Sequence, residues 1–432
     1  YQHRVDHYRE SVFPLRQEEP TWEKDDIYTS SFLIWISMTA AVLASGSGQP
    51  LRIGIREGRT SVAVIGTQDV GIYQSNTLRK KIKANTPIQI TIRGQELTAG
   101  GIKSTGPVSV RPLANGGLVK ITDGYTYRGY LGFMKTPTAA GLTVVNVVPM
   151  EHYLYGVVGK EMSPSWSLEA LNAQAVAART YAVFHKNYFR NRGYDMSDDT
   201  RNQVYGGVND ESASIKQAVD GTSGEILTYR GKPIEAIFCA SAGGWTEHSE
   251  NVWGSPVGYL RGVADRSFHM PAYSWSVTTT PERLAANLAA AGKGVGTVKA
   301  ITLSPLAKRP MHVSDRGVSG RVRTLIVQGT KGQATITGNA FQSLFGLKST
   351  LFDFYQGRGT PPNPDMGQGS RSLTLPIKAG QPLTIYGFGW GHGLGMSQYG
   401  AYQMAKENPG VREYYRQILL HYYTGTTLER LY

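Results

Sequence analysis

The sequence predicts an α+β protein, with a β-rich N-terminal lobe followed by a mixed helix and strand core. Three observations lead there. The runs Leu51-Arg-Ile-Gly-Ile, Ser61-Val-Ala-Val-Ile, Ile88-Gln-Ile-Thr-Ile and Leu118-Val-Lys-Ile-Thr alternate at period two and are separated by turn residues, as strands buried on one face do. Further on, Pro149 to Tyr181 reads as two apolar helical segments flanking a short break. Composition agrees: 51 Gly, 25 Tyr and only 18% charged residues in 432 suit a strand- and loop-rich globular chain, and exclude a coiled coil or a disordered tail.

The elements follow in order. Residues 1–50 form a leader. Within it Ser31–Ala44 is apolar, short for a membrane span of ~20 residues, and ends in Val42-Leu43-Ala44 like a signal-peptidase site. We read 31–44 as an export signal or membrane anchor, with a buried helix as the alternative, since Asp25 and Asp26 precede it where basic residues are usual. Residues 51–145 make the β-rich lobe, and 146–432 the core.

Pro149 suits the first turn of a helix carrying Tyr153, Leu154, Val157 and Val158. Ser167 is placed to cap a second helix, whose stripe is Leu168, Leu171, Ala175, Ala178 and Ala182. So many alanines imply close packing, which a larger residue would overfill. Strand character returns over Gly224–Cys239, Thr297–Leu303 and Arg321–Gln328, and helical character over Pro281–Ala291 and Asn339–Leu347. Residues 357–370 are an irregular Pro- and Gly-rich insert. Helices near Met396–Glu407 and Val411–Tyr423 close the chain.

The net charge is +13, and because the first 50 residues hold four basic and seven acidic side chains, the remainder carries +16. Such a body suits a polyanionic partner. Nucleic acid is the weakest option, since no basic motif has interleaved aromatics. A single cysteine, Cys239, excludes an internal disulfide and a cysteine zinc cluster. In Ile234-Glu-Ala-Ile-Phe-Cys it reads as a buried small hydrophobe in a strand rather than a nucleophile.

The chemistry concentrates at Glu161. This carboxylate sits at the break between the two helices, beside Ser163, Pro164 and Trp166. A carboxyl on a loop, pinned by rigid helices and edged with apolar surface, is suited to general acid work. Arg179 lies inside the Ala-rich helix, where a bare charge is costly and needs a partner. It is read either as a contact for a substrate carboxylate or as one half of a structural ion pair.

Glu161-Met-Ser-Pro-Ser-Trp with Ala173-Gln-Ala-Val-Ala-Ala-Arg-Thr-Tyr, Ser241-Ala-Gly-Gly-Trp-Thr-Glu-His-Ser-Glu-Asn-Val-Trp-Gly, and Gly387-Phe-Gly-Trp-Gly-His-Gly-Leu-Gly-Met-Ser-Gln-Tyr-Gly-Ala resemble the SpoIID/LytB family of sporulation and cell-wall proteins. The resemblance runs from about Leu51 to the C-terminus. It implies an exported lytic transglycosylase that cuts peptidoglycan glycan strands in the cell envelope, with Glu161 as catalytic acid and then base, in a groove between helices and strands. The family also holds enhancers of a wall amidase, so a non-catalytic wall-binding protein with an amidase partner is the alternative.

The candidate substrate contacts in the first motif are Arg179, Gln174 and Tyr181, with core packing an equal alternative for Gln174 and Tyr181. In the second they are Ser241, Gly243, Gly244, Thr246, Glu250 and Asn251, with Glu247 beside them and the Trp245 and Trp253 rings as core residues or, second, as platforms for a sugar ring. In the third they are His392, Ser397 and Gln398, with a structural hydrogen-bonding role an equal alternative for His392 and Gln398. The Gly-rich third motif lacks the Lys-Ser/Thr of a phosphate loop, so a nucleotide reading is weak. No cofactor is implied. Some relatives carry a zinc site of Cys and His shortly after the Ala-rich helix. Here Ser197, Arg201 and Asn202 stand in those places and cannot act as thiolate or imidazole ligands. We expect no zinc, and a loop held by hydrogen bonds from Asp198 or Asp199 to Arg201.

Overall fold

The computed structural model describes residues 50–356 and 374–432, apart from 269 and 272. The leader up to residue 49, with its 31–44 segment, and the 357–370 insert lie outside the described residues. The architecture is α+β with a large β-rich N-terminal region. The chain forms two units: one runs to Glu235 and also takes in Leu428–Tyr432, and the other is Ala236–Thr427.

In the N-terminal unit a seven-stranded sheet runs in the order Met196–Ser197, Leu51–Arg59, Leu142–Val148, Tyr130–Lys135, Val108–Pro112, Val70–Gln74, Thr77–Ile82. A six-stranded sheet runs Thr126–Tyr127, Val119–Ile121, Ser61–Gly66, Ile88–Arg93, Glu96–Ala99, Ile102–Ser104. The period-two runs place Val62, Val64, Ile88 and Ile90 in the core, with Ser61 and Gln89 in solvent. Ile72 of the larger sheet packs beside Gly100 of the smaller, where an added Cβ would lie 2.7 Å from the Ile72 side chain.

Leu142–Val148 does not alternate because it is buried along its whole length. Its one strongly polar side chain, Asn146, is satisfied. The Nδ2 donates to the carbonyls of Arg128 (2.9 Å) and Tyr130 (3.1 Å), and the Oδ1 accepts from the Tyr205 hydroxyl at 3.0 Å. This strand feeds directly into the first helix, Met150–Glu161.

Pro149 stands one position earlier than the sequence suggested, at the cap, where its carbonyl accepts from the Tyr153 amide at 3.0 Å. Ser167 occupies the cap position of the Leu168–Phe184 helix, but its hydroxyl makes no capping bond and is buried without a partner. Its carbonyl does that job instead, accepting from Ala170 and Leu171 at 3.1 Å. The apolar stripe is wider than the periodicity implied, for everything from Ala170 to Ala182 is buried. The Met150–Glu161 helix, the Ala213–Gly221 helix and the Glu225–Tyr229 strand all pack on it.

The C-terminal unit has a core of Leu284, Leu288, Val327, Ile336, Phe341, Phe352, Phe354 and Ile385, with Phe341 stacked on Phe352 at 5.1 Å and edge-on to Phe354 at 5.4 Å. The predicted elements are found as the Pro281–Ala290 and Gly338–Phe345 helices and the Val298–Thr302 and Thr324–Gly329 strands. Helices Gln398–Glu407 and Tyr414–Tyr422 follow. Among the described residues no helix is long and apolar enough to cross a membrane.

Candidate functional site

The N-terminal unit holds Glu161 at a structural discontinuity. The helix that begins at Met150 ends on Glu161, and Met162 turns to extended backbone (φ −125°, ψ 150°). Residues 163–166 then form a tight turn in which the Trp166 amide donates to the Ser163 carbonyl at 3.1 Å. The Ser163 and Ser165 hydroxyls meet at 2.9 Å, and the Ser214 hydroxyl donates to the Pro164 carbonyl at 2.7 Å. Glu161 is half-buried while Met162 beside it is buried. A carboxylate at a helix C-terminus faces the negative end of the helix dipole, which disfavours its charge.

Behind Glu161 the helix is held against the 205–210 segment. Gly156 and Gly159 permit this, since an added Cβ would lie 2.6 Å from the Gly207 carbonyl oxygen and 1.8 Å from that of Asp210. Tyr153 packs on Tyr205 at 4.9 Å, and Tyr205 on Tyr127 at 5.9 Å. The Tyr153 hydroxyl donates to Gln203 Oε1 at 3.3 Å, and Gln203 Nε2 donates to the Ala178 carbonyl at 3.3 Å, so one glutamine links both helices. Burial pushes the Tyr153 phenol well up, with the charges of Asp198 and Glu161 adding to the effect.

Arg179 takes the second of the two roles the sequence allowed. It is fully buried, with Nε and one NH2 group donating to the two oxygens of Glu151 at 2.9 and 2.6 Å. The carbonyls of Glu225 and Val219 accept from it as well, both at 3.1 Å. Glu151 starts the helix that Glu161 ends, ten residues or ~15 Å away at 1.5 Å per residue. The guanidinium thus anchors the far end of that helix, and a ligand carboxylate would first have to displace Glu151. Gln174 is fully buried and Tyr181 nearly so. The Tyr181 ring lies 4.1 Å from that of His185, and its phenol is pushed up by burial, partly offset by a hydrogen bond with Asn202.

The loop after the Ala-rich helix is held as its sequence suggested, by Asp199. The Asp199 carboxylate accepts from the Arg201 amide and Nε, both at 3.0 Å, and from the Ser197 hydroxyl at 3.0 Å. Asn202 Oδ1 accepts from the Ser197 amide at 2.9 Å. Asp198 is the residue that sequence reasoning undervalued. It makes no ion pair among the described residues, and its carboxyl is pushed up to about 7, chiefly by burial and then by the Asp199 charge, against Arg56 and Arg201. The available signal was the Asp-Asp pair beside a single arginine: one acid takes the cation and leaves the other without it.

The second and third motifs come together in the C-terminal unit. Ser241 and Trp390 exchange backbone hydrogen bonds, and Phe238–Cys239 pairs in parallel with Met396–Ser397. Gly243 (φ 74°) and Gly244 (φ 98°) are needed there, but the neighbours an added Cβ would strike belong to the protein: the Gly389 amide at 2.9 Å and the Arg309 guanidinium at 2.8 Å. Ser397 caps the Gln398–Glu407 helix, its hydroxyl accepting from the amides of Gly400 and Ala242, both at 3.2 Å.

Most of the polar candidates here are engaged internally. The Ser241 hydroxyl donates to Ser267, that of Thr246 accepts from the Val263 amide, and Asn251 Nδ2 donates to Glu247. Glu247 is a buried carboxylate that also receives the His248, Val318 and Ser319 amides and the Ser319 hydroxyl. Glu250 forms a two-pronged pair with Arg261 at 2.7 and 2.8 Å, which holds its carboxyl down at about 2. Lys348 Nζ lies 4.3 Å over the Trp390 ring. His392 Nδ1 accepts from the Leu394 amide at 3.0 Å, and burial, then Arg321, lowers the imidazole to about 4. It is neutral at physiological pH. Gln398 is buried.

Arg321 was read only as the start of a strand. It is buried and clamps both motifs by donating to the carbonyls of Ala242 (3.1 Å) and Gly391 (3.4 Å). Cys239 is buried, and burial pushes its thiol up to about 12, which makes it inert.

Comparison with known proteins agrees with the motifs. Residues 138–229 match the family model of SpoIID, stage II sporulation protein, and residues 260–395 match a domain of unknown function, DUF8618. Stage II sporulation protein D of Bacillus amyloliquefaciens is 33% identical over 304 residues, which cover 66% of this chain and 75% of that one. An uncharacterized protein of Brachyspira hyodysenteriae is 34% identical over 71% of this chain and 74% of its own. The amidase enhancer of Bacillus subtilis is 33% identical over 71% of this chain, but over only 44% of its own length. With a family-model match and relatives of this identity aligned over three-quarters of their length, the chain belongs to the SpoIID family.

Proposed function

We propose that this protein is an exported peptidoglycan lytic transglycosylase acting outside the cytoplasm through Glu161. The observation that carries the proposal is a carboxylate ending a helix at a tight turn, inside the segment that matches the family model. The chemistry needs one such group. Neutral Glu161 gives its proton to the glycosidic oxygen, the bond from muramoyl C1 to that oxygen breaks, and N-acetylglucosamine leaves. The carboxylate then takes the proton of the C6 hydroxyl as O6 closes on C1. The product is a 1,6-anhydro end, the acid is restored, and no water is consumed. Hydrolytic glycosidases instead use two carboxylates at a defined separation.

Purified protein is expected to release anhydro-muramoyl fragments from glycan strands, detected by mass spectrometry on intact and peptide-stripped substrate. Glu161→Gln is expected to abolish release with an unchanged melting temperature. Release persisting in that variant would remove the enzymatic reading.

A second reading, a non-catalytic wall-binding enhancer of an amidase, is favoured by the internal engagement of most polar side chains in the second and third motifs and by the relative named amidase enhancer. It predicts binding to wall sacculi with no new product and an affinity indifferent to Glu161→Gln.

A further inference from the structure

The positive charge is unevenly placed. Residues 51–148 hold thirteen Lys and Arg against four acids, Glu57, Asp69, Glu96 and Asp123, or +9 in 98 residues. Residues 149–432 hold 28 against 21, only +7 in nearly three times the length. The surplus is densest at one edge of the seven-stranded sheet. There the Thr77–Ile82 strand has a neighbour on one side only and is exposed from Thr77 to Lys81. It carries Arg79, Lys80 and Lys81, and Lys83 follows.

The register fixes what faces outward. Lys81 lies opposite Gly71, and Gly71 opposite Arg111, while Leu78 lies opposite Tyr73 one pleat along. Lys81, Arg111, Tyr73 and Leu78 therefore share a face. The Arg111 guanidinium sits 4.7 Å from the centroids of both Tyr73 and Tyr130, its Nε donates to the Ser109 hydroxyl at 2.8 Å, and an NH2 group donates to the Ser75 carbonyl at 2.9 Å. Arg79, Lys81 and Arg111 make no ion pair among the described residues. The one acid here, Asp69, is taken by Lys83 at 3.0 Å. Leu78 and Leu113 stand 38% and 39% exposed beside them.

Lysines on an edge strand ordinarily serve to block pairing with another strand. That accounts for Lys80 and Lys81. It does not account for Arg111, two strands inward and fixed between two tyrosines, nor for the exposed apolar side chains. We propose that this face is a binding surface for a linear polymer of phosphodiesters with a non-aromatic backbone.

The surface is open, Lys81 shares its face with Arg111 while Arg79 stands at a register shift of the edge strand, and lysine ammoniums bind phosphate as point charges without a required orientation. Leu78 and Leu113 offer apolar contact to a carbon backbone. A nucleic acid would want free aromatic faces for its bases, whereas Arg111 already covers Tyr73 and Tyr130. The surface is independent of Glu161, so this inference and the proposed enzymatic function can fail separately.

The test uses the full chain with labelled poly(glycerol phosphate), polyglutamate, single-stranded DNA and anionic lipid vesicles. Arg79→Glu with Lys81→Glu is compared with Arg93→Glu and Lys120→Glu, an equal charge change on exposed positions of the other sheet. Wild type is expected to prefer poly(glycerol phosphate). The edge variant is expected to lose ~10-fold or more in affinity, and its log–log salt slope to fall by about 1.4–1.8, as for two lost phosphate contacts, at an unchanged melting temperature. Equal loss in the control pair, unchanged binding in the edge variant, or equal or tighter binding of polyglutamate, DNA or vesicles would each overturn the proposal.

Discussion

Glu151 and Asp198 occupy the same unit under opposite regimes. Glu151 is met by both prongs of Arg179 and by the Gly224 amide. Asp198 is half-buried and has only more distant cations. Its folded carboxyl titrates near 7 against an ordinary value of 3.8. Between those limits the native state holds a proton that the unfolded chain releases, so stability falls as pH rises from about 4 to 7 and is flat above. Asp198→Asn, neutral throughout, removes that fall. The variant is expected to match wild type near pH 4 and to exceed it at pH 8, by at most about 4 kcal/mol for a three-unit shift. Denaturant melts at the two pH values check this, and a pH-independent difference would show that Asp198 is ionised in the native state. The long-range pairings were not readable locally: Glu151 and Arg179 are 28 residues apart, and Glu247, besides its neighbours His248 and Asn251, takes donors from Val318 and Ser319, about 70 residues away. Sequence pattern flagged Arg179 as needing a partner but carried nothing about which one.

The helices were legible because their signals are local. The apolar spacing over 150–161 and 168–184 and the turn residues between them are set by the 3.6-residue period and by the geometry of chain reversal. What periodicity could not convey is why the first helix tolerates two glycines. On propensity alone Gly159→Ala should add about 1 kcal/mol. The structure reverses the sign, because the new Cβ would lie 1.8 Å from the Asp210 carbonyl oxygen, which is backbone and cannot swing aside. Overpacking of this kind costs about 1–3 kcal/mol, so Gly159→Ala is expected to lower the melting temperature. Gly221→Ala, at the end of the Ala213–Gly221 helix with nothing within 4 Å of the new atom, is expected to raise it slightly. If both variants were to gain stability, the packing of segment 205–210 on this helix would be wrong.

The chain returns to its N-terminal unit at its last residues. Leu428–Tyr432 belong to that unit although the preceding 192 residues, Ala236–Thr427, form the other. The Thr427–Arg430 strand lies beside Glu225–Tyr229, and three side-chain contacts secure the ending: Thr228 to Glu429 at 2.7 Å, Arg430 to Glu225 at 2.9 Å, and the Tyr432 hydroxyl to Glu151 at 2.5 Å. The last of these lands on the carboxylate that holds Arg179, so the ending supports the buried ion pair under the Glu161 helix. Short strands that pair across about 200 residues leave no periodic trace, and Thr427–Arg430 could not have been inferred from its own sequence. Deleting residues 428–432 is therefore expected to weaken amide-exchange protection over 150–184 and 225–229 while leaving 325–336 as protected as before. The same deletion should lower the glycan cleavage proposed above, because the helix that ends on Glu161 loses a support at its base. Uniform loss of protection in both units would mean that they unfold as one cooperative body, and that the C-terminal residues stabilise the molecule without special regard to the Glu151–Arg179 pair.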